Sequence, residues 1–175
     1  MSNNTPEVNN LLIEYISIKD HGPNFSCLTY GDSTDIKVAQ LLKLTVGSYV
    51  FFQTSMKDED GKMKHFIMAY YYVFKVLVIG KDDGEISKLK YLDNNTDRVI
   101  IIGDENKSKI LASPLKFDKE LALELHCLHF TPEYFQKKKS NLLTISKETH
   151  SHRYLDSKSV DLLRGKCEAI QRINK

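Results

Sequence analysis

Gly47 to Ser55 reads Gly-Ser-Tyr-Val-Phe-Phe-Gln-Thr-Ser, and His65 to Gly80 reads His-Phe-Ile-Met-Ala-Tyr-Tyr-Tyr-Val-Phe-Lys-Val-Leu-Val-Ile-Gly. Between them lies the charged link Lys57-Asp58-Glu59-Asp60-Gly61-Lys62. Both runs are dense in β-branched and aromatic residues, the composition of two strands joined by a solvated hairpin loop. The second run is too long and too apolar for a surface strand. It is central in a sheet, or it bends from one sheet layer into another. Strand alternation sends Tyr70 and Tyr72 to one face and Tyr71 to the other. The core is therefore expected to be a small, aromatic-rich β-structure.

Upstream, the loose alternation of Leu11 to Lys19 predicts a first strand. Asp20-His21-Gly22-Pro23-Asn24 breaks it. Phe25 to Asp32 reads as an irregular, aromatic loop. Ser33 or Asp35 can cap a short helix that carries Ile36, Ala39 and Leu42 on one face. Downstream, Glu85 to Asn95 is ambiguous and can be a short helix. Val99 to Gly103 is a buried strand, Ile110 to Ala112 another, and Ser113 to Phe117 an extended crossing. Asp118 to Leu128 has helical spacing at Leu121, Leu125 and Leu128. Thr131-Pro132 opens a helix through Lys138, and Lys137 to Lys139 forms its basic end. Thr144 to Leu155 is loop or strand. Asp156 or Ser157 caps a last helix through Ile170, with Val160, Leu163 and Cys167 on one face.

The chain has 175 residues, 41% hydrophobic and 27% charged, the profile of one globular domain with room for a sizeable core. Residues 1–10 read as a disordered lead-in without a signal-peptide apolar region, and residues 11–175 as a single domain. The formal net charge of +2 gives no global basic field, so nucleic-acid contact would require a local patch. Cys27, Cys127 and Cys167 are odd in number and far apart, the pattern of free thiols in a reducing cytoplasm. No run approaches the ~18 apolar residues of a membrane span. Strands come first and helices last, which argues α+β.

Glycine-rich phosphate loops and the GxSxG elbow are absent, against a nucleoside-triphosphate enzyme or an α/β-hydrolase. His126 and His129, flanking Cys127, share a face if helical, but no further ligands can be placed; packing or surface exposure is the expectation, with no metal and no cofactor. Two polar-aromatic clusters remain. In the first, Asn24, Phe25, Tyr30 and Asp32 stand in the early loop. The two rings either dock on the core or form a pocket, in which aromatics stack a planar base and Asn24 or Asp32 reads its edge. In the second, His150-Ser151-His152-Arg153-Tyr154, Arg153 can hold a phosphate bidentately with a histidine beside it. The alternative is an ordinary polar turn before a helix.

The pattern Asp20-x-x-Pro23-Asn24-Phe25-x-x-x-Thr29-Tyr30-Gly31-Asp32, the later Leu44-x-x-Gly47-x-Tyr49-Val50-Phe51-Phe52 and the final His152-Arg153-Tyr154-Leu155 span nearly the whole chain. Together they resemble the nucleotide-modification-associated domains found near DNA-modification and anti-phage systems, nearest the type called domain 3. The middle segment is also similar to the PUA-like group, which includes EVE, ASCH and YTH domains; Ser48 stands where that group has Asp, and Met68 or Ala69 where it has Gly. These resemblances imply a small twisted PUA-like β-barrel core with short helices and a helical C-terminal part. They imply handling of nucleic acid, with a modified base flipped into an aromatic pocket.

The expected function is recognition of a nucleobase or nucleotide between the early loop and the Arg153-Tyr154 segment. Phe25 and Tyr30 would stack the base, and Asn24 and Asp32 would read its edge. His150, Arg153, Tyr154, Lys137 and Lys138 would hold phosphate. An enzyme reading uses the same places differently, with Asp20 or Asp32 as general base and His21 or His152 as general acid. A third reading is a protein-interaction domain whose aromatics are all core.

Overall fold

The computed structural model describes residues 8–16, 22–89, 96–137 and 140–173. In chain order its elements are β1 (Asn10–Glu14), β2 (Thr29–Asp32), α1 (Asp35–Leu41), β3 (Tyr49–Lys57), β4 (Met63–Val78), α2 (Asp83–Ile86), β5 (Val99–Gly103), β6 (Lys109–Lys116), α3 (Lys119–Glu124), α4 (Pro132–Gln136), α5 (Asn141–Thr149), β7 (Arg153–Leu155) and α6 (Ser157–Ile173). The fold is α+β, with one mixed sheet of order β2-β5-β4-β3-β1-β7 and β6 paired to β4 beside that path. β1 runs parallel to β3, and the other pairings are antiparallel. The sheet does not close into a barrel.

β4 is both central and bent. It pairs with β3 on one side, and on the other with β6 along its first half and β5 along its second. The register slips where Phe52 and Gln53 face Ala69 and Ile67, which makes Met68 an extra residue in β4. A bulge of this kind turns two successive side chains to one face and increases the local twist. Accordingly Met68 and Ala69 both pack with Leu11, Ile13, Val50, Phe52 and Tyr71 on the inner face of the curl, which α1 covers with Val38 and Leu41. A second slip between Val73 and Lys75 leaves Phe74 exposed. Leu12, Phe51, Ile67 and Tyr70 point the other way, into a cluster built with residues from α3, α4, α5 and α6. Tyr70 and Tyr71 thus lie on opposite faces, as alternation requires.

Several expected elements shift. β1 starts at Asn10, inside the expected lead-in, because the Asn10 side chain accepts the Tyr49 N–H (2.8 Å) and ties the start of β1 to β3. Residues 1–7 of that lead-in lie outside the described residues. The early loop ends in a strand, β2, held by β5 from Thr29↔Ile102 to Asp32↔Val99. Thr144–Thr149 is helical rather than loop or strand, and only Arg153–Leu155 of that stretch is extended. His126 and His129 follow the end of α3 and share no helical face. No group of three or more His, Cys, Asp or Glu side chains suited to a metal occurs among the described residues. Thr131 and Pro132 start α4 as expected, and Asp156 caps α6 by accepting the Ser159 N–H (2.8 Å). No helix among the described residues is long and apolar enough to cross a membrane.

The buried face of α1 is Val38 and Leu41, whereas Ile36 is 75% exposed and Leu42 half-exposed. Leu41→Ala should therefore lower stability by about 2–5 kcal/mol. Ile36→Ala should stay within about 0.5 kcal/mol of wild type. Urea denaturation of both variants checks the helix orientation; equal losses would contradict it.

Candidate functional site

The curl of the sheet brings its two ends together through side chains. Tyr30 lies on β2, and His152 immediately precedes β7. The Tyr30 hydroxyl lies 3.0 Å from His152 Nε2 and donates to Asp32 Oδ2 at 3.2 Å. The Tyr30 ring packs against Phe52 (5.4 Å between centroids) and His152 (5.8 Å). Both Tyr30 and His152 are 3% exposed. Gln40, on α1, donates from Nε2 to the His152 carbonyl at 3.0 Å. Residues about 110–120 positions apart in sequence thus form one polar seam at the rim of an aromatic core.

Local chemistry fixes each group of the seam. Asp32 Oδ1 accepts the N–H groups of Ser33 (2.8 Å) and Thr34 (2.9 Å) and the Thr34 hydroxyl. Lys37 Nζ stands 3.6 Å from Asp32 Oδ2. Burial by itself would raise the Asp32 pKa. The Thr34 bonds, Lys37 and the Ser33 N–H outweigh it, and the carboxyl stays below its ordinary range. Gly31 is required between Tyr30 and Asp32, because a Cβ there would collide with the Asp97 carboxylate. Burial raises the Tyr30 pKa, and the Asp32 charge raises it further. Burial pushes His152 down to about 4, with Lys37 acting in the same direction and Asp32 against it. The imidazole is neutral at pH 7.

A carboxylate only accepts hydrogen bonds. The single Tyr30 proton therefore goes to Asp32, and the Tyr30 oxygen accepts from a protonated His152 Nε2. His152 Nδ1 is left as a bare acceptor; it is buried and has no partner among the described residues. Gln40 Oε1 is likewise buried without a partner among the described residues. Each unmet buried acceptor costs about 1–3 kcal/mol. Gln40, Cys127, Glu148, His152, Arg153 and Tyr154 line a cleft of about 200 Å³. Arg153 Nε donates to the Glu148 carbonyl, and its Nη2 lies 4.0 Å from the Glu148 carboxylate. Tyr154 is 39% exposed, with Lys43 Nζ 5.8 Å from its ring centroid.

The other expected site residues fall as follows. Phe25 is half-buried and packs edge-on against Tyr15, Phe52 and Tyr71 at 6.0–6.4 Å. Asn24 Oδ1 accepts from Ser26 and Cys27 in a tight turn, and its backbone carbonyl accepts the Tyr71 hydroxyl at 3.1 Å. His150 is exposed and donates from Nδ1 to the Lys147 carbonyl. Lys137 is exposed at the end of α4, away from the cleft lining. Asp20, His21 and Lys138 lie outside the described residues. Sequence reasoning singled out Tyr30, Asp32, His152 and Arg153, which the fold does bring together. It missed Lys37 and Gln40, which are unremarkable polar positions of an amphipathic helix until the sheet curls toward them. It also missed Glu14 and Gln53, paired in register where β1 ends beside the middle of the parallel strand β3. Gln53 is fully buried with neither amide atom paired among the described residues. Burial raises Glu14, against the opposing fields of His150 and Lys37. The legible signal was a carboxylate and a carboxamide ending two apolar runs.

The folded pKa of His152 lies below its ordinary value of about 6.5, so the unfolded chain takes up the proton first. The stabilisation is complete above about pH 6.5 and is lost as pH falls toward about 4, amounting to up to about 3 kcal/mol. Asp32, whose folded pKa is also depressed, loses its contribution at lower pH. Urea denaturation between pH 4.5 and 7.5 should give a visibly shallower pH dependence for His152→Gln than for wild type. Identical slopes would mean that His152 is not held neutral in the fold.

No protein-family model matches the chain, and no curated protein matches its sequence.

Proposed function

We propose that the protein recognises a nucleobase or nucleotide, plain or modified, in the cleft beside His152, in the setting of DNA modification or anti-phage defence. The observation that carries this reading is the convergence of Gln40, His152, Arg153 and Tyr154 on one small cleft, with two buried acceptors lacking partners among the described residues. Sites for drug-sized ligands occupy roughly 300–1,000 Å³; about 200 Å³ suits a single planar ring. Tyr154 offers a half-exposed ring for stacking, and Arg153 a guanidinium for phosphate. Tyr30 and Phe25 stand behind the cleft in the core, and Tyr30 acts on the site through His152. The resemblance of the Asp20–Asp32, Leu44–Phe52 and His152–Leu155 segments to nucleotide-modification-associated domains supports the same reading. We read the curled sheet as an open relative of the PUA-like barrel.

The protonation of His152 weighs against its part in the enzyme reading. That reading casts His152 as general acid, a role best served by a pKa near the operating pH, whereas His152 is held near 4 and at pH 7 is not the imidazolium that would give up a proton. Binding is therefore the stronger reading. The interaction-domain reading expects core aromatics, with Phe25, Tyr30 and Arg153 apart from one another; Phe25 and Tyr30 do pack in the core, but His152 bonds Tyr30 and adjoins Arg153.

Purified protein titrated with mononucleotides and short DNA and RNA oligonucleotides, plain and base-modified, should bind in a salt-dependent manner. Arg153→Gln should weaken binding about tenfold or more, the scale of a charge-assisted bond. Product analysis after incubation should find the ligands unchanged. Absence of binding to any of them at low salt would overturn the proposal, and conversion of the ligand would replace it with the enzyme reading.

A further inference from the structure

We infer that the outer face of the sheet carries a second nucleic-acid contact, in which Lys107 and Arg164, each held over a tyrosine ring, take the phosphates of a single strand. The inference rests on the nucleotide reading above and names the form of the partner. That partner is a chain of nucleotides with unpaired bases, not a free nucleotide or a duplex.

Strand alternation puts Tyr70 and Tyr72 on the outer face of β4, and Tyr49 stands opposite Tyr72 on β3. Tyr70 is buried, while Tyr49 and Tyr72 are half-buried. The Tyr49 ring meets Tyr72 edge to face at 5.2 Å and Tyr70 at 5.9 Å. Each half-buried ring carries a cation. Arg164 Cζ, on α6, lies 4.7 Å from the Tyr49 centroid, and Lys107 Nζ lies 4.6 Å from the Tyr72 centroid. Burial raises the Tyr49 hydroxyl, and Arg164 and Lys107 both act against it, so both cations lie within reach of one ring pair.

The turn that carries Lys107 is pinned to β4. The Asp104 N–H donates to the Tyr72 carbonyl at 2.8 Å, and the Tyr72 N–H donates to Ser108 Oγ at 3.0 Å. The Asp104 carboxylate accepts the N–H groups of Asn106 (2.8 Å) and Lys107 (3.0 Å). Gly103 permits this approach, since a Cβ there would lie 2.7 Å from Ser108 Oγ and 3.1 Å from the Tyr71 side chain. A ring face orients a cation without cancelling its charge. Among the described residues no carboxylate lies within ion-pair distance of Lys107, or of the exposed Lys109 that pairs with Tyr70 in register. Arg164 has Glu168 at 4.0 Å, and Asp161 is the acid whose field reaches Tyr49.

A single strand matches this face on both counts. Its phosphates answer the cations, and its unpaired bases can stack on half-buried rings or on the guanidinium plane. In a duplex those base faces are already stacked on one another. The patch also lies near the cleft. Leu11 pairs with Tyr154 on one side and with Val50 on the other, so two strand spacings, roughly 10 Å, separate Tyr154 from the residue next to Tyr49. A strand of several nucleotides spans that interval. Tyr72 is a positioning residue here, because it sets where the Lys107 charge stands.

The test titrates the full chain with the common deoxynucleoside 5′-monophosphates and with a mixed-sequence single-stranded DNA of about sixteen nucleotides, the upper end of known single-strand site sizes. The strand should bind about tenfold or more tightly than any monophosphate, as a linked second contact requires. Lys107→Gln, in an exposed turn, should weaken the strand several-fold and lower its salt slope by about 0.7, with monophosphate binding unchanged. Tyr72→Leu keeps the lysine but removes its ring, and should also weaken the strand alone while the far-ultraviolet circular dichroism is unchanged. Arg153→Gln, by contrast, should weaken both ligands. Equal affinity for strand and monophosphates, or an unchanged salt slope in Lys107→Gln, overturns this inference and leaves the nucleotide reading standing. So does a duplex of the same sequence, or polyglutamate, bound as tightly as the single strand. Binding of no nucleotide in any form overturns both.

Discussion

β4 is sixteen residues long and is paired along its whole length, with β3 and then β5, and with β6 opposite β3 from Phe66 to Tyr70. A strand of that length cannot stay flat, because each residue adds right-handed twist and the sheet must curl to keep its ladders. The register slips at Met68 and at Phe74 concentrate the bend at two points. Everything else follows from that curvature. The inner face becomes concave and is filled by aromatic side chains and α1, and the outer face becomes the floor for the C-terminal helices. The two ends of the sheet approach each other without meeting as strands.

The gap between those ends is bridged by the seam Asp32–Tyr30–His152–Gln40. A polar seam beside an apolar core is stabilising only when its members are paired, since each bare group loses its hydration without compensation. Among the described residues the seam meets this condition along its length and fails it at two atoms, His152 Nδ1 and Gln40 Oε1. Those two atoms belong to the residues that line the cleft. Residues that hold the sheet ends together therefore also line the cleft. Tyr30 serves both roles, with its ring in the core and its hydroxyl in the seam.

The strands were legible where composition and alternation agreed, as in β3, β4 and β5. β2 was not, because in Thr-Tyr-Gly-Asp the strand preference of Thr and Tyr is opposed by Gly and Asp, and the pairing with β5 decides it. α1 was legible as a helix but not in its orientation. Its seven residues carry apolar side chains on more than one face, and packing on the inner core chose Val38 and Leu41 over Ile36. α5 was missed because Asn-Leu-Leu-Thr-Ile-Ser-Lys-Glu-Thr is rich in residues that compete with helical bonding. Its Ser140 cap and the hydroxyls of Thr144 and Thr149, bonded back to the Ser140 and Ile145 carbonyls, accommodate them.

By itself the sequence determined the α+β class, the central position of β4, the opposed faces of Tyr70 and Tyr71, and the identity of four polar residues worth examining. These depend on local composition and on the two-residue period of a strand, which the chain carries wherever it is placed. Only the tertiary structure decided that Tyr30 and His152 share a hydrogen bond, that Lys37 and Gln40 join them, and that Phe25 packs in the core. Those facts depend on how far the sheet curls. The curl depends on bulges that add one residue to a strand without leaving any mark in its composition.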